Sequence, residues 1–143
     1  LDLIHEINYA QYFFPGNITV AYSYLDKVSD LAITSHDLAF FILRQGSRYV
    51  NISLNYFQRF AERYVKIYGS KGTLFASIID KKVEVFDEEN KKVYARKFDF
   101  EYNQMYIDEI KSMERFIKDK KPLPDILRIN QAILDLRIVG GKS

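Results

Sequence analysis

Residues 18 to 98 form a succession of short segments rich in β-branched and aromatic residues, each separated from the next by a short turn or connection. Segments of this kind, joined by tight turns, are typical of antiparallel hairpins. The predicted strands are 18–25, 38–45, 49–57, 64–68, 73–79, 83–86 and 93–98. The pattern therefore predicts an open sheet that is mainly antiparallel, with the strongly apolar strand 38–45 buried inside it.

The predicted strand 49–57 alternates cleanly between two kinds of side chain. One face is apolar or aromatic and carries Val50, Ile52, Leu54 and Tyr56. The other face is a polar row made of Asn51, Ser53 and Asn55. This alternation indicates one buried face and one exposed face. The polar row can face a cleft, a second copy or solvent, and we expect an interface rather than a catalytic role.

Helices flank the strands at both ends of the sequence. The first is predicted at about 3–14, with Asp2 at its N-cap and the apolar stripe Leu3, Ile7, Ala10 and Phe14. A later helix carries the stripe Tyr106, Ile110, Met113 and Ile117, and a last helix is predicted from about Asp125 to Gly140. Helices packed on one face of an antiparallel sheet make an α+β domain, which we expect to span residues 1–143.

Composition excludes several classes of protein. The formal net charge is +2, which is too small to argue for a nucleic-acid partner, and the chain has no cysteine for a disulfide or a cysteine-ligated metal. Nothing in the spacing of the two histidines suggests a metal site. No apolar run is long enough to cross a membrane, and we expect a cytoplasmic protein.

The first predicted helix carries the best candidate for chemistry. Asp2, His5, Asn8 and Tyr12 recur at spacings of three and four residues and share one polar stripe. His5 falls in the first turn, where the helix dipole disfavours the charged imidazolium, so it can accept a proton from a hydroxyl group. Asp2 can orient that imidazole or contact a substrate. From spacing alone, a surface histidine without a catalytic role stays open as the alternative.

Three stretches resemble the C-terminal domain of the Gfo/Idh/MocA oxidoreductases. Residues 1–9 (LDLIHEINY) are similar to the histidine motif that opens that domain. Residues 55–59 (NYFQR) and 65–74 (VKIYGSKGTL) are similar to its central strand, the strand after it and the turn that follows. With the two closing helices in the expected order, the resemblance covers nearly the whole chain.

The resemblance implies a catalytic role for His5 and Asp2 and substrate contacts for Asn8 and Tyr12. It implies hydride transfer between NAD or NADP and a sugar, nucleotide sugar or cyclitol. The cofactor would be bound by a separate N-terminal Rossmann domain, which would also carry a Glu-Lys-Pro motif. Asn8 stands where the family often has an aspartate, and Asp2 lies one residue nearer to His5 than in many members.

Gln58 and Arg59 are predicted at the end of a central strand, where they could contact a substrate. The paired donors of Arg59 suit a carboxylate or phosphate, although a surface ion pair is an equal alternative.

The chain starts at Leu1 inside a helical pattern, so we expect it to be part of a longer enzyme and inactive alone. The family also implies a homo-oligomer formed through the sheet face. The alternative function is a non-catalytic ligand-binding or dimerisation domain.

Overall fold

The computed structural model describes residues 4–119, apart from the side chains of Ile4 and Met105. The predicted N-cap Asp2 and the predicted last helix from Asp125 lie outside this range. The described residues fall into two compact units, 4–58 and 59–119. All strand pairs are antiparallel, so the α+β class and the antiparallel pairing are confirmed.

The first unit is a helix on a three-stranded sheet. Its elements are α1 (Ile4–Phe13), β1 (Thr19–Asp26), β2 (Leu38–Gln45) and β3 (Arg48–Asn55), with strand order β1-β2-β3. A two-residue turn joins β2 to β3, and Gly46 in that turn has a φ of 60°. A glycine at the first central position suits a turn that matches the twist of the strands. The predicted tight turn is therefore confirmed.

The core of the first unit lies between α1 and one face of the sheet. Its fully buried or nearly buried side chains are Ile7, Ala10, Ala39, Phe41, Leu43 and Ile52. The predicted apolar stripe of the first helix is thus confirmed for Ile7 and Ala10. The prediction that strand 38–45 is buried is wrong for its other face, because Phe40 and Ile42 are 36% and 38% exposed. Among the described residues, a helix packs against one face of β2.

The side of this sheet opposite α1 is called the outer face. Large exposed side chains cover it: Tyr22, Tyr24, Phe40, Ile42 and Tyr49. The strand register places Ile42 beside Asn51 and Phe40 beside Ser53, so the predicted polar row shares this face. The outer face therefore combines aromatic and amide side chains on an exposed surface.

The second unit contains a four-stranded meander and one helix. Its elements are β4 (Tyr64–Gly69), β5 (Gly72–Ser77), β6 (Lys82–Asp87), β7 (Lys92–Lys97) and α2 (Tyr102–Asp119). The strands pair in sequence order. The predicted hairpin around residues 87–90 is confirmed, and Asp87 Oδ1 accepts hydrogen bonds from the backbone N–H groups of Glu89 and Lys91 at 3.0 and 2.8 Å.

The strands within residues 4–119 form two sheets rather than the one open sheet that the sequence predicted. Strand β3 ends at Asn55, and residues 56–63 contain no strand. Short turns specify only which neighbouring strands pair, so the break between β3 and β4 was not visible in the pattern.

The predicted apolar stripe of the later helix lies on α2 and is exposed, from 47% at Met113 to 75% at Ile117. No helix within residues 4–119 is long and apolar enough to span a bilayer.

Candidate functional site

His5, Asn8 and Tyr12 lie on the side of α1 that faces away from the core. An α-helix turns by about 100° per residue, so positions 5, 8 and 12 share one stripe, roughly opposite Ile7 and Ala10. His5 is exposed, Asn8 is half-buried, and Tyr12 is 66% exposed. The sheet fixes α1 through its buried stripe, and the polar stripe remains accessible. The structure therefore brings three of the predicted site residues, His5, Asn8 and Tyr12, together on one face of α1.

The end of α1 is anchored by a side chain that the sequence did not single out. Gln45 at the end of β2 donates through Nε2 to the carbonyl oxygens of Phe14 and Pro15, each at 3.0 Å. Helix ends leave carbonyl groups without a partner inside the helix, and a side-chain amide can bond them. The guanidinium of Arg48 lies 5.9 Å from the centre of the Phe14 ring. The β2–β3 hairpin therefore holds the end of α1 in place.

The remaining predicted site residues do not join this stripe. Asp2 lies outside the described residues. The prediction that Gln58 and Arg59 end a strand is wrong, because β3 stops at Asn55. There the side chain of Asn55 accepts a hydrogen bond from the Gln58 backbone N–H at 2.8 Å and donates to Gln58 Oε1 at 3.2 Å. Such an Asx-type turn replaces strand pairing. Arg59 is exposed and belongs to the second unit.

A buried carboxylate, Asp37, organises the connection between β1 and β2. Its side chain is fully buried and accepts hydrogen bonds from the backbone N–H groups of Val28 at 2.8 Å and Ser29 at 3.1 Å. The Ser29 hydroxyl also donates to it, and Lys27 Nζ lies 3.0 Å away. The Asp37 carbonyl accepts from the Tyr56 N–H at 3.0 Å. One residue thus ties the connection to the start of β2 and the end of β3.

Two opposing effects act on the pKa of Asp37. Burial alone would raise it, but the hydrogen bonds from Ser29, Val28 and Lys27 together lower the pKa of Asp37 well below its usual value of 3.8. The carboxylate is therefore ionised throughout the neutral range. The sequence showed residues 31–37 only as a polar connection, because a single aspartate in a loop gives no local sign that it is buried.

An open concavity lies beside this anchored loop. It has a volume of about 350 Å³ and is lined by Leu31, Ala32, Ile33, Ser35 and Tyr56. At the end of β1, the Tyr24 hydroxyl donates to Asp26 Oδ2 at 2.6 Å. This bond raises the pKa of Tyr24 and lowers the pKa of Asp26. The lining is mostly apolar, so the concavity suits contact with an apolar group rather than acid–base chemistry.

Residues 4–119 contain no group of three histidine, aspartate or glutamate side chains that could hold a metal ion. The turn after β4 is a hairpin turn rather than a phosphate loop. A Cβ atom at Gly72 would lie 2.1 Å from the carbonyl oxygen of Phe86, so strand β6 occupies the space next to this glycine. Gly72 therefore serves the close packing of this hairpin.

No protein-family model, curated protein or solved structure matches this chain.

Proposed function

We propose that the chain is the substrate-facing part of an NAD(P)-dependent oxidoreductase of the Gfo/Idh/MocA type. Its substrate would be a hydroxyl group of a sugar, nucleotide sugar or cyclitol. The dinucleotide would be bound by a separate Rossmann domain, as the resemblance implies. By itself, the chain would be inactive.

The observation that carries the proposal is the accessible stripe of His5, Asn8 and Tyr12 on α1. A residue that acts on a substrate must be reachable from solvent or from a cleft, and His5 is exposed at the first turn of the helix. The helix itself is fixed by Ile7 and Ala10 in the core and by Gln45 at its end. Rigid placement on a helix suits a group that must meet a substrate in one orientation.

The chemistry needs one proton acceptor on this chain. Oxidation of a secondary alcohol to a ketone removes a hydride from carbon and a proton from oxygen. The nicotinamide of the separate domain supplies the hydride acceptor when it is bound. The imidazole of His5 would take the hydroxyl proton, while Asn8 and Tyr12 would hydrogen-bond neighbouring hydroxyl groups of the substrate.

The gene sequence that precedes Leu1 provides the first test. We expect it to encode a glycine-rich βαβ unit and a Glu-Lys-Pro motif. If neither is present, the protein lacks the domain that would bind the dinucleotide, and the proposal is wrong.

Replacing His5 with alanine in the enzyme that includes the Rossmann domain should lower turnover by roughly 100-fold or more, because the proton acceptor is lost. His36→Ala is the matched control, since His36 is the chain's other histidine, is also exposed, and lies in the β1–β2 connection. Turnover is measured by nicotinamide absorbance with glucose, fructose or myo-inositol as substrate. Equal turnover in both variants would remove His5 from the mechanism.

The outer face favours a second function, self-association. Aromatic and aliphatic side chains fill its middle, while Asp26 and Arg44 lie near its opposite ends. A two-fold axis running across the strands would bring Arg44 of one copy to the Asp26 end of the other. An isologous contact of this kind is self-complementary in both charge and polarity. We therefore propose that a second copy of this chain covers the outer face.

Sedimentation velocity tests the self-association. The chain is expected to sediment as a dimer, and Ile42→Glu should convert it to a monomer because the new carboxylate would be buried without a partner. Ile110→Glu is the control, since Ile110 is an exposed isoleucine on α2. A chain that remains monomeric at high concentration, or a dimer that tolerates Ile42→Glu, would rule this interface out.

A further inference from the structure

One face of the four-stranded sheet in the second unit combines lysines with aromatic rings. The strand register places its members on the same side, and this surface is called the lysine–aromatic face: Tyr64, Lys66, Phe75, Lys82, Glu84, Phe86, Lys92 and Lys97. Contacts across the strands support this placement. Lys66 Nζ lies 5.2 Å from the centre of the Tyr64 ring and 5.8 Å from that of Phe75.

Further cations lie against rings on this face. Lys82 Nζ is 5.6 Å from the centre of the Phe75 ring, and Lys92 Nζ is 5.5 Å from that of Phe86. The Tyr64 and Phe75 rings are 6.0 Å apart. Tyr64 is 50% exposed, so part of this residue is accessible to a ligand. The lysine–aromatic face is therefore an array of alternating rings and ammonium groups.

Positive charge on this face exceeds negative charge. Glu84 is its one acidic member and pairs with Lys92 at 2.5 Å and with Lys82 at 3.6 Å. Within the described part of the chain, Lys66 and Lys97 form no ion pair. Lys82 also lies directly opposite Lys97. Like charges at directly opposite positions destabilise a sheet, so this arrangement costs stability in the free protein.

Rings and cations are interleaved across the strands. Rings lie on β4 (Tyr64), β5 (Phe75) and β6 (Phe86), and lysines lie on β4 (Lys66), β6 (Lys82) and β7 (Lys92 and Lys97). A ligand that carries flat rings and negative charges in alternation along its length matches this arrangement. The long, flexible side chain of Lys66 can turn from the rings toward an anion.

We propose that the lysine–aromatic face binds single-stranded nucleic acid. Bases stack on exposed rings without regard to sequence, and phosphates pair with lysines along the same groove or face. A second copy would place lysines against lysines, and a duplex would hide its base faces. The overall charge of +2 does not reveal this face, because acidic residues elsewhere in the unit, such as Glu88, Glu89 and Asp108, offset the local excess.

Fluorescence anisotropy with a labelled oligothymidine tests the proposal on the whole chain. Binding is expected at low salt, and the logarithm of the association constant should fall linearly with the logarithm of salt concentration. The slope should be about −0.7 for each phosphate contacted. Lys66→Gln and Lys82→Gln should each reduce the slope by about that amount, whereas Lys111→Gln on α2 should leave it unchanged.

The aromatic contribution is tested separately. Phe75→Leu and Tyr64→Leu keep an apolar side chain and remove the ring, and each should weaken binding roughly tenfold. Tyr106→Leu, an exposed tyrosine on α2, is the matched control. Circular dichroism establishes that each variant is folded.

Two results would overturn the proposal. One is the absence of oligothymidine binding at low salt by the folded wild-type chain. The other is equally tight binding of poly-glutamate or duplex DNA, together with unchanged binding by Phe75→Leu and Tyr64→Leu. The second result would mean that the face recognises negative charge alone, and an acidic protein segment would then be the better partner.

Discussion

Replacing Asp37 with asparagine is expected to lower the midpoint of thermal unfolding by on the order of 10 °C at neutral pH. Both carboxylate oxygens accept hydrogen bonds, one from the Val28 N–H and the other from Ser29. An asparagine must turn its NH₂ group toward one of these donors, which leaves that donor without an acceptor. Lys27 also loses its counter-charge.

The effect of Asp37→Asn should depend on pH. Because the folded protein holds the pKa of Asp37 below its ordinary value of 3.8, the ionised carboxylate stabilises the fold fully above that value. This contribution is lost progressively as the pH falls below 3.8 and through the folded-state pKa. The difference in unfolding midpoint between wild type and variant should therefore be largest near neutral pH and narrow in acid.

Asp30→Asn is the control for this comparison. Asp30 lies in the same connection but is exposed, so removing its charge should change the midpoint by no more than a degree or two. Scanning calorimetry of the three proteins at neutral and acid pH would measure all of these differences. Equal midpoints for Asp37→Asn and Asp30→Asn would show that the Asp37 network does not stabilise the connection.

Replacing Gly72 with alanine is expected to reduce the free energy of unfolding by about 2–5 kcal/mol. Gly72 has a φ of 144°, a conformation that residues with a Cβ atom rarely adopt. The new methyl group would lie 2.1 Å from the Phe86 carbonyl oxygen and 3.1 Å from Asp87 Cα. Both are backbone atoms of β6, so relief requires β5 and β6 to separate where they pair.

The neighbouring glycine gives a matched control for this substitution. Gly69 ends the preceding strand of the same hairpin, and a Cβ atom there would meet only the Gly72 carbonyl oxygen at 3.6 Å, an ordinary contact. Gly69→Ala should therefore change stability by less than about 1 kcal/mol. Urea unfolding followed by circular dichroism would compare the two variants. If both are equally stable, the close approach at Gly72 is not a constraint.

Local sequence chemistry predicted the elements well. The β2–β3 hairpin followed from an apolar segment before Gly46 and an alternating segment after it, and α1 followed from the spacing of Ile7, Ala10 and Phe14. Strand and helix periodicities reflect burial of one face, so they can be read from a single sequence. The end of β3 was harder to predict from the sequence, because Asn55 ends this strand through hydrogen bonds of its own side chain.

The candidate site was predicted only in part. The stripe of His5, Asn8 and Tyr12 required helical spacing alone, and the structure brings these residues together on α1. Placing Gln58 and Arg59 correctly required knowing where β3 ends and which unit each residue belongs to. No local sequence pattern contains that information. Gln45 was missed because its partners lie about thirty residues away, at the end of α1.

The amino-acid sequence by itself determined the antiparallel hairpins, the two described helices and the polar stripe of α1, because each depends on side chains close together in the chain. The tertiary structure alone decided that the strands divide into two sheets, that Asp37 is buried within a network of donors, and that lysines on β6 and β7 meet one another across the register. These features depend on contacts between distant residues, whose energies come from burial and charge in the folded chain rather than from local backbone preference.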